Sequence, residues 1–200
     1  MRRLRHPRAE PAWLAAIVAY VAAVAVTHAQ RAAPAFTSPQ GVLHGRIVEL
    51  LTSGLYVAGG PPADDLAVPA LAAALALAVL VVGARRTVGA AVLGHVGATL
   101  AVYAAIGALW LGGIHVWRAA LDAPDYGISC VYAAALGLVA AGARPLPLRV
   151  IALAAAVATL QLGGDLAGWE HFLALAAGAL VGRLAPARTA VATAASPARP

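Results

Sequence analysis

The chain has 200 residues, 62% of them hydrophobic and only 11% charged, with a mean hydropathy of +0.83. So few charges cannot cover a soluble domain of this size, which argues against a water-soluble helical bundle and makes lipid part of the solvent. The net charge of +6 does not indicate a nucleic-acid partner, because the arginines sit at the ends of apolar segments. Lysine is absent and alanine abundant, a composition that fits a high-GC bacterial genome. The single cysteine, Cys130, excludes an internal disulfide.

Six apolar segments follow in chain order, at residues 13–27, 66–83, 88–111, 127–143, 150–162 and 169–184. A membrane span needs about 20 apolar residues. Backbone groups in lipid must pair within their own segment, so each segment is predicted to be a helix. The first follows Arg2, Arg3, Arg5 and Arg8 and could be taken for a signal peptide. Its apolar stretch is long for a signal, and it is predicted to be an uncleaved first span. The connection at residues 29–65 is the longest and is punctuated by prolines and glycines. Within it, residues 42–55 read either as a short helix at the membrane interface or as an ordinary surface loop. The fifth segment is short and draws on Leu146 and Leu148 to span. Residues 1–185 thus form one membrane domain, and residues 186–200, rich in Ala, Pro, Arg and Thr, are predicted to be a disordered cytoplasmic tail.

Orientation follows from the arginines. With the N-terminus in the cytoplasm, six crossings place Arg2, Arg3, Arg5, Arg8, Arg85, Arg86, Arg144, Arg149, Arg183, Arg188 and Arg199 inside. Only Arg31, Arg46 and Arg118 fall outside. The expectation is an all-α polytopic membrane protein with both termini cytoplasmic, in the bacterial plasma membrane.

Two segments carry chemistry. In the fourth, Ser129, Ala133, Gly137 and Ala141 recur every fourth residue and form a helix face of small side chains, the pattern of close helix contact in membranes. In the sixth, Ala174, Gly178 and Gly182 repeat it, with His171 one turn further out. If these faces meet, Ser129 and His171 approach each other at matching depth near the outer surface. A neutral histidine can accept a proton near pH 7, and a serine hydroxyl needs such a neighbour to become a nucleophile. Gly127 permits close backbone approach, and amides at the helix N-terminus could hold an oxyanion. The plain alternatives are a serine bonded back to a carbonyl one turn earlier and a histidine resting in the headgroup layer.

The remaining polar residues read as structural. His95, between Gly94 and Gly97, is expected to hydrogen-bond across helices. Asp125 is expected to cap the fourth helix, and Tyr132 to pack in the core. Trp110, Trp117 and Trp169 read as interfacial anchors. No two histidines have helical metal-ligand spacing, so neither a metal nor another cofactor is expected.

These residues together resemble the rhomboid family of intramembrane serine proteases, across most of the chain. That family places its nucleophile in a Gly-x-Ser-Gly motif opening the fourth of six core helices, with a further glycine eight residues on. Gly127-Ile128-Ser129-Cys130 and Gly137 fit, with Cys130 in place of the last motif glycine. Its base, usually after an alanine, opens the sixth helix with glycines seven and eleven residues later. His171, Gly178 and Gly182 match, with Glu170 before the histidine. Leu50-Leu51-Thr52-Ser53-Gly54-Leu55 resembles the family's Leu-Thr-Ser loop, with Glu49 where an arginine is usual. The resemblance implies a six-helix rhomboid-like bundle, a Ser129–His171 dyad, and a transmembrane protein as substrate. It also implies a histidine and an asparagine in the second helix as oxyanion donors. Here that helix offers Leu66, Pro69, Ala72, Ala73 and Ala74 and no polar side chain. An inactive relative that binds transmembrane segments is therefore the alternative. A small-solute carrier fits less well, since no broken helix or row of intramembrane charges is visible.

Overall fold

The computed structural model describes residues 9–30, 36–57, 63–114, 121–162 and 165–184. Every regular element among them is helical: α1 (Ala9–Ala29), α2 (Pro39–Leu43), α3 (Ile47–Thr52), α4 (Ala63–Val82), α5 (Ala84–Val92), α6 (Ala98–Leu111), α7 (Ile128–Gly142), α8 (Leu146–Leu162) and α9 (Asp165–Leu184). A 3₁₀ turn, Ser53–Leu55, follows α3, and a π-turn, Leu93–Gly97, joins α5 to α6. An isolated antiparallel bridge links Thr37 to Asp125. Each of the six apolar segments coincides with a long helical run. Three of these, Glu10–Ala29, Asp65–Val82 and Ala84–Leu111, are long and apolar enough to cross a membrane. The tail at residues 186–200 and Arg2, Arg3, Arg5, Arg8, Trp117 and Arg118 lie outside the described residues.

The loop helix differs from the expectation. Residues 42–55 do not form one helix, because Gly45 adopts φ 81° and turns the chain between α2 and α3. A left-handed residue ends a helix, and glycine bears that conformation without a steric penalty. Ser38 starts α2 by accepting the Gly41 amide at 3.0 Å. The 3₁₀ turn is then tied to α1, where the Tyr20 and Thr27 hydroxyls donate to the carbonyls of Gly54 and Leu55, each at 2.7 Å.

At the opposite end, Gly83 at φ 95° makes the sharp joint between α4 and α5. The Glu10 carboxylate accepts the Ala84 amide at 3.3 Å across that joint. It occupies one of the free donors at the α5 N-terminus.

The centre of the molecule is α7. Ile128, Val131, Leu136, Leu138 and Val139 are buried, and so are Ala133, Ala134 and Ala135 between them. A helix apolar and buried all round must be surrounded, and α4, α5, α8 and α9 all pack on it. Its most extensive contact is with α9, and glycines permit it. A Cβ at Gly137 would strike the Leu175 carbonyl of α9, and one at Gly178 the Ala134 carbonyl of α7. One at Gly182 would approach the Leu138 carbonyl to 2.7 Å. The two backbones therefore touch, as small-residue faces allow in membranes.

Candidate active site

The contact between α7 and α9 brings Ser129 and His171 together. Ser129 lies in the first turn of α7, half-buried, and His171 lies in the second turn of α9, buried. The Ser129 hydroxyl and His171 Nε2 are 2.7 Å apart. With the ring proton on Nδ1, the hydroxyl donates to Nε2, the arrangement a general base requires. His171 Nδ1 is buried without a hydrogen bond of standard geometry, although the backbone of Thr159 in α8 approaches the ring. The Ser129 hydroxyl also lies 3.3 Å from the Tyr126 carbonyl, the local backbone bond open to a serine here.

The turn into α7 sets the donors around the serine. Gly127 is the N-cap residue, and its carbonyl accepts the amides of Cys130 at 3.1 Å and Val131 at 3.3 Å. The amides of Ile128 and Ser129 precede any intrahelical acceptor. They are the backbone donors that remain for an oxyanion at this end of the helix. Cys130 contributes neither its amide, which is engaged, nor an exposed thiol. Its side chain is fully buried among Ala98, Ala133, Ala134 and Ala174, so at this motif position it fills a helix junction.

Gly127 is held from outside by His95. The His95 ring sits on the π-turn, buried, in the space that a Cβ at Gly127 or Gly54 would occupy. Its Nε2 bonds the Leu50 carbonyl at 2.7 Å, while the Gly127 amide donates to the Ser53 carbonyl at 3.2 Å. The Leu50–Leu55 stretch, the serine motif and the π-turn thus form one joint. The expected hydrogen bond of His95 exists, but it runs to the connection between α1 and α4 and not to another long helix. A π-turn often marks a functional position. Sequence spacing conceals it, because an inserted residue leaves no hydropathy signal.

Asp125 does not cap α7. Its backbone pairs with Thr37 in both directions, at 2.9 and 3.1 Å, and its side chain is buried, with the Tyr103 hydroxyl 3.5 Å from Oδ2. Burial pushes the Asp125 carboxyl above the ordinary carboxylate range. Glu170, visible in the sequence only as a departure beside His171, is fully buried, with neither carboxyl oxygen hydrogen-bonded. Tyr132 packs on the main core cluster, and Trp169 is exposed, stacked edge-on with Phe172 at 6.3 Å. In α4, Leu66, Pro69 and Ala73 are exposed, and no polar side chain of Leu66, Pro69, Ala72, Ala73 or Ala74 is available to the serine. Among the described residues, no three His, Cys, Asp or Glu side chains converge as a metal site.

Comparison of the chain with protein-family models, with curated proteins and with solved structures finds no match.

Proposed function

We propose that this protein is an intramembrane serine protease of the rhomboid type, which hydrolyses a peptide bond of a transmembrane protein substrate near the outer face of the bacterial plasma membrane. The observation that carries the reading is the 2.7 Å approach of His171 Nε2 to the Ser129 hydroxyl. It is supported by the backbone contact at Gly137, Gly178 and Gly182 that sets it. In this reading the six long helical runs cross the bilayer, with both termini cytoplasmic as the arginines require. The exposed Leu43, Ile47, Val48 and Leu51 of the loop helices rest in the interfacial layer. With 15 residues, α7 is about 22 Å long at 1.5 Å per residue. That is shorter than the hydrocarbon core of about 30 Å, so Ser129 lies in a recess below the outer surface.

The chemistry needs no cofactor. His171 Nε2 takes the Ser129 proton as the oxygen attacks the scissile carbonyl carbon. The Ile128 and Ser129 amides face the developing oxyanion. His171 then gives the proton to the leaving amine, and the acyl group stays on Ser129. Water, deprotonated by the same imidazole, attacks the ester and releases the new carboxylate.

The second reading is a catalytically inactive rhomboid-like protein that binds transmembrane segments. The apolar α4 favours it, because losing one oxyanion donor costs about a hundred- to a thousandfold in rate. Labelling with a fluorophosphonate separates the two. On the first reading wild type labels and Ser129→Ala does not. A wild type that never labels, and that leaves a range of transmembrane substrates intact, supports the second.

A further inference from the structure

Thr99 and Glu170 are fully buried, and the chemistry above uses neither. A threonine within a helix usually bonds a carbonyl of its own helix, three or four residues back. Thr27, Thr52, Thr87 and Thr159 all do so, at 2.9 to 3.0 Å. The Thr99 hydroxyl has no such bond and no other partner among the described residues. The residue four back is His95, which lies in the π-turn ahead of α6, where the hydrogen-bond ladder lengthens by one residue. Both oxygens of the Glu170 carboxyl are equally without a protein partner. Buried polar groups in folded proteins are nearly all hydrogen-bonded, either to protein or to ordered water.

Packing sets these two side chains opposite each other. Leu166, Glu170 and Ala174 follow at four-residue spacing on one face of α9. Ala174 is buried with Ala98 of α6, and Leu166 with Val102, Tyr103 and Ile106 of α6. Glu170, between them, faces the α6 stretch from Ala98 to Tyr103, where the buried polar side chains are Thr99 and Tyr103. The Tyr103 hydroxyl lies 3.5 Å from Asp125 Oδ2. Asp125 is bridged to Thr37, whose hydroxyl is also buried and unpartnered. Thr99 and Glu170 thus face each other in an enclosed polar space, beyond direct hydrogen-bond reach. Such a separation is the setting for a bridging water.

We propose that Thr99 and Glu170 line an internal water site between α6 and α9, in which the Thr99 hydroxyl donates to an ordered water and that water donates to the Glu170 carboxyl. Tyr103, Asp125 and Thr37 close its outer wall. A buried water makes about two to four hydrogen bonds, and these groups supply them. In the six-span reading the water also accounts for an ionisable side chain within a membrane helix, because such residues face the protein interior or a water-filled space. Helix α9 is then held to α7 by direct backbone contact and to α6 through water. The site exists whether or not Ser129 attacks a substrate, so it stands apart from the protease reading.

The test uses the full chain in lipid nanodiscs and reads melting temperature and X-ray radiolytic oxidation of Tyr103. Radiolysis makes hydroxyl radicals from water, so a buried side chain is oxidised where water touches it. Thr99→Val removes one partner of a bridging water and is expected to lower the melting temperature by about 2–4 °C. Thr99→Ser keeps the hydroxyl and is expected to melt as wild type does. Tyr103 is expected to be oxidised in wild type and several-fold more slowly when Thr99→Val is combined with Glu170→Leu, which leaves the space apolar. Should the double variant fail to fold, Thr99→Val alone makes that comparison. In a dry site the threonine hydroxyl is an uncompensated cost, and its removal raises stability. A Thr99→Val protein that melts at or above wild type therefore overturns the water site. Equal oxidation of Tyr103 in wild type and the apolar variant overturns it too. A melting temperature that rises with sodium chloride but not with choline chloride assigns the space to a cation in place of water.

Discussion

Ser129 and His171 are 42 residues apart in the chain and 2.7 Å apart in space. Their chemistry depends on the ring nitrogen being held there before a substrate arrives. His171→Ala is expected to slow fluorophosphonate labelling about a hundred- to ten-thousandfold, the usual contribution of a general base. Gly127→Ala tests the support from the other side. Its backbone φ of −82° accepts any residue, so the nearest obstacle is the His95 ring in the Cβ position. Displacing that ring from its bond to Leu50 is expected to cost about 1–3 kcal/mol of stability and to lower labelling, as measured by thermal melting and labelling rate. Serine and histidine were legible because chemistry demands those residue types near small neighbours. The partner of His95 and the burial of Asp125 and Glu170 were not, since these depend on which nonlocal groups surround them.

Between helices, the decisive feature is the contact of α7 with α9. At Gly178 a side chain would enter the Ala134 backbone, which cannot yield as the end of a flexible side chain can. Gly178→Val is therefore expected to part the two helices and abolish labelling. Gly107→Ala, on α6, meets open space and is expected to label at the wild-type rate, with stability unchanged or slightly raised by the better helix former. The every-fourth-residue spacing of small side chains predicted this contact, because helical geometry puts such residues on one face. The break at Gly45 was harder to read, since His44, Gly45 and Arg46 also suit the polar side of a single interfacial helix, and it is the left-handed backbone that divides α2 from α3.

For the molecule as a whole, the testable quantity is topology. On a Cys130→Ala background, Asp122→Cys and Pro145→Cys each provide a single thiol at one end of α7. Six crossings with cytoplasmic termini place the first outside and the second inside. In intact cells a membrane-impermeant maleimide is expected to label only the protein carrying Asp122→Cys. Labelling of the Pro145→Cys protein in its place would reverse the orientation and put the dyad on the cytoplasmic side. Replacing the buried Cys130 by alanine is expected to cost about 1 kcal/mol, as a small cavity does, which a shift in melting temperature reports.

Composition and periodicity were enough to predict an all-helical chain and its membrane-compatible apolar segments. Unpaired backbone groups cannot be left in lipid, and the side chains that face lipid must be apolar over a whole span. They also indicated which two helix faces were small enough to meet. The expected meeting of Ser129 and His171 acquired its 2.7 Å distance only in the folded chain, and two further features came with it: the His95 joint between Leu50 and Gly127, and the burial of Asp125 and Glu170. Each joins residues far apart in sequence. Local periodicity specifies the face on which a side chain lies, whereas packing determines its partner.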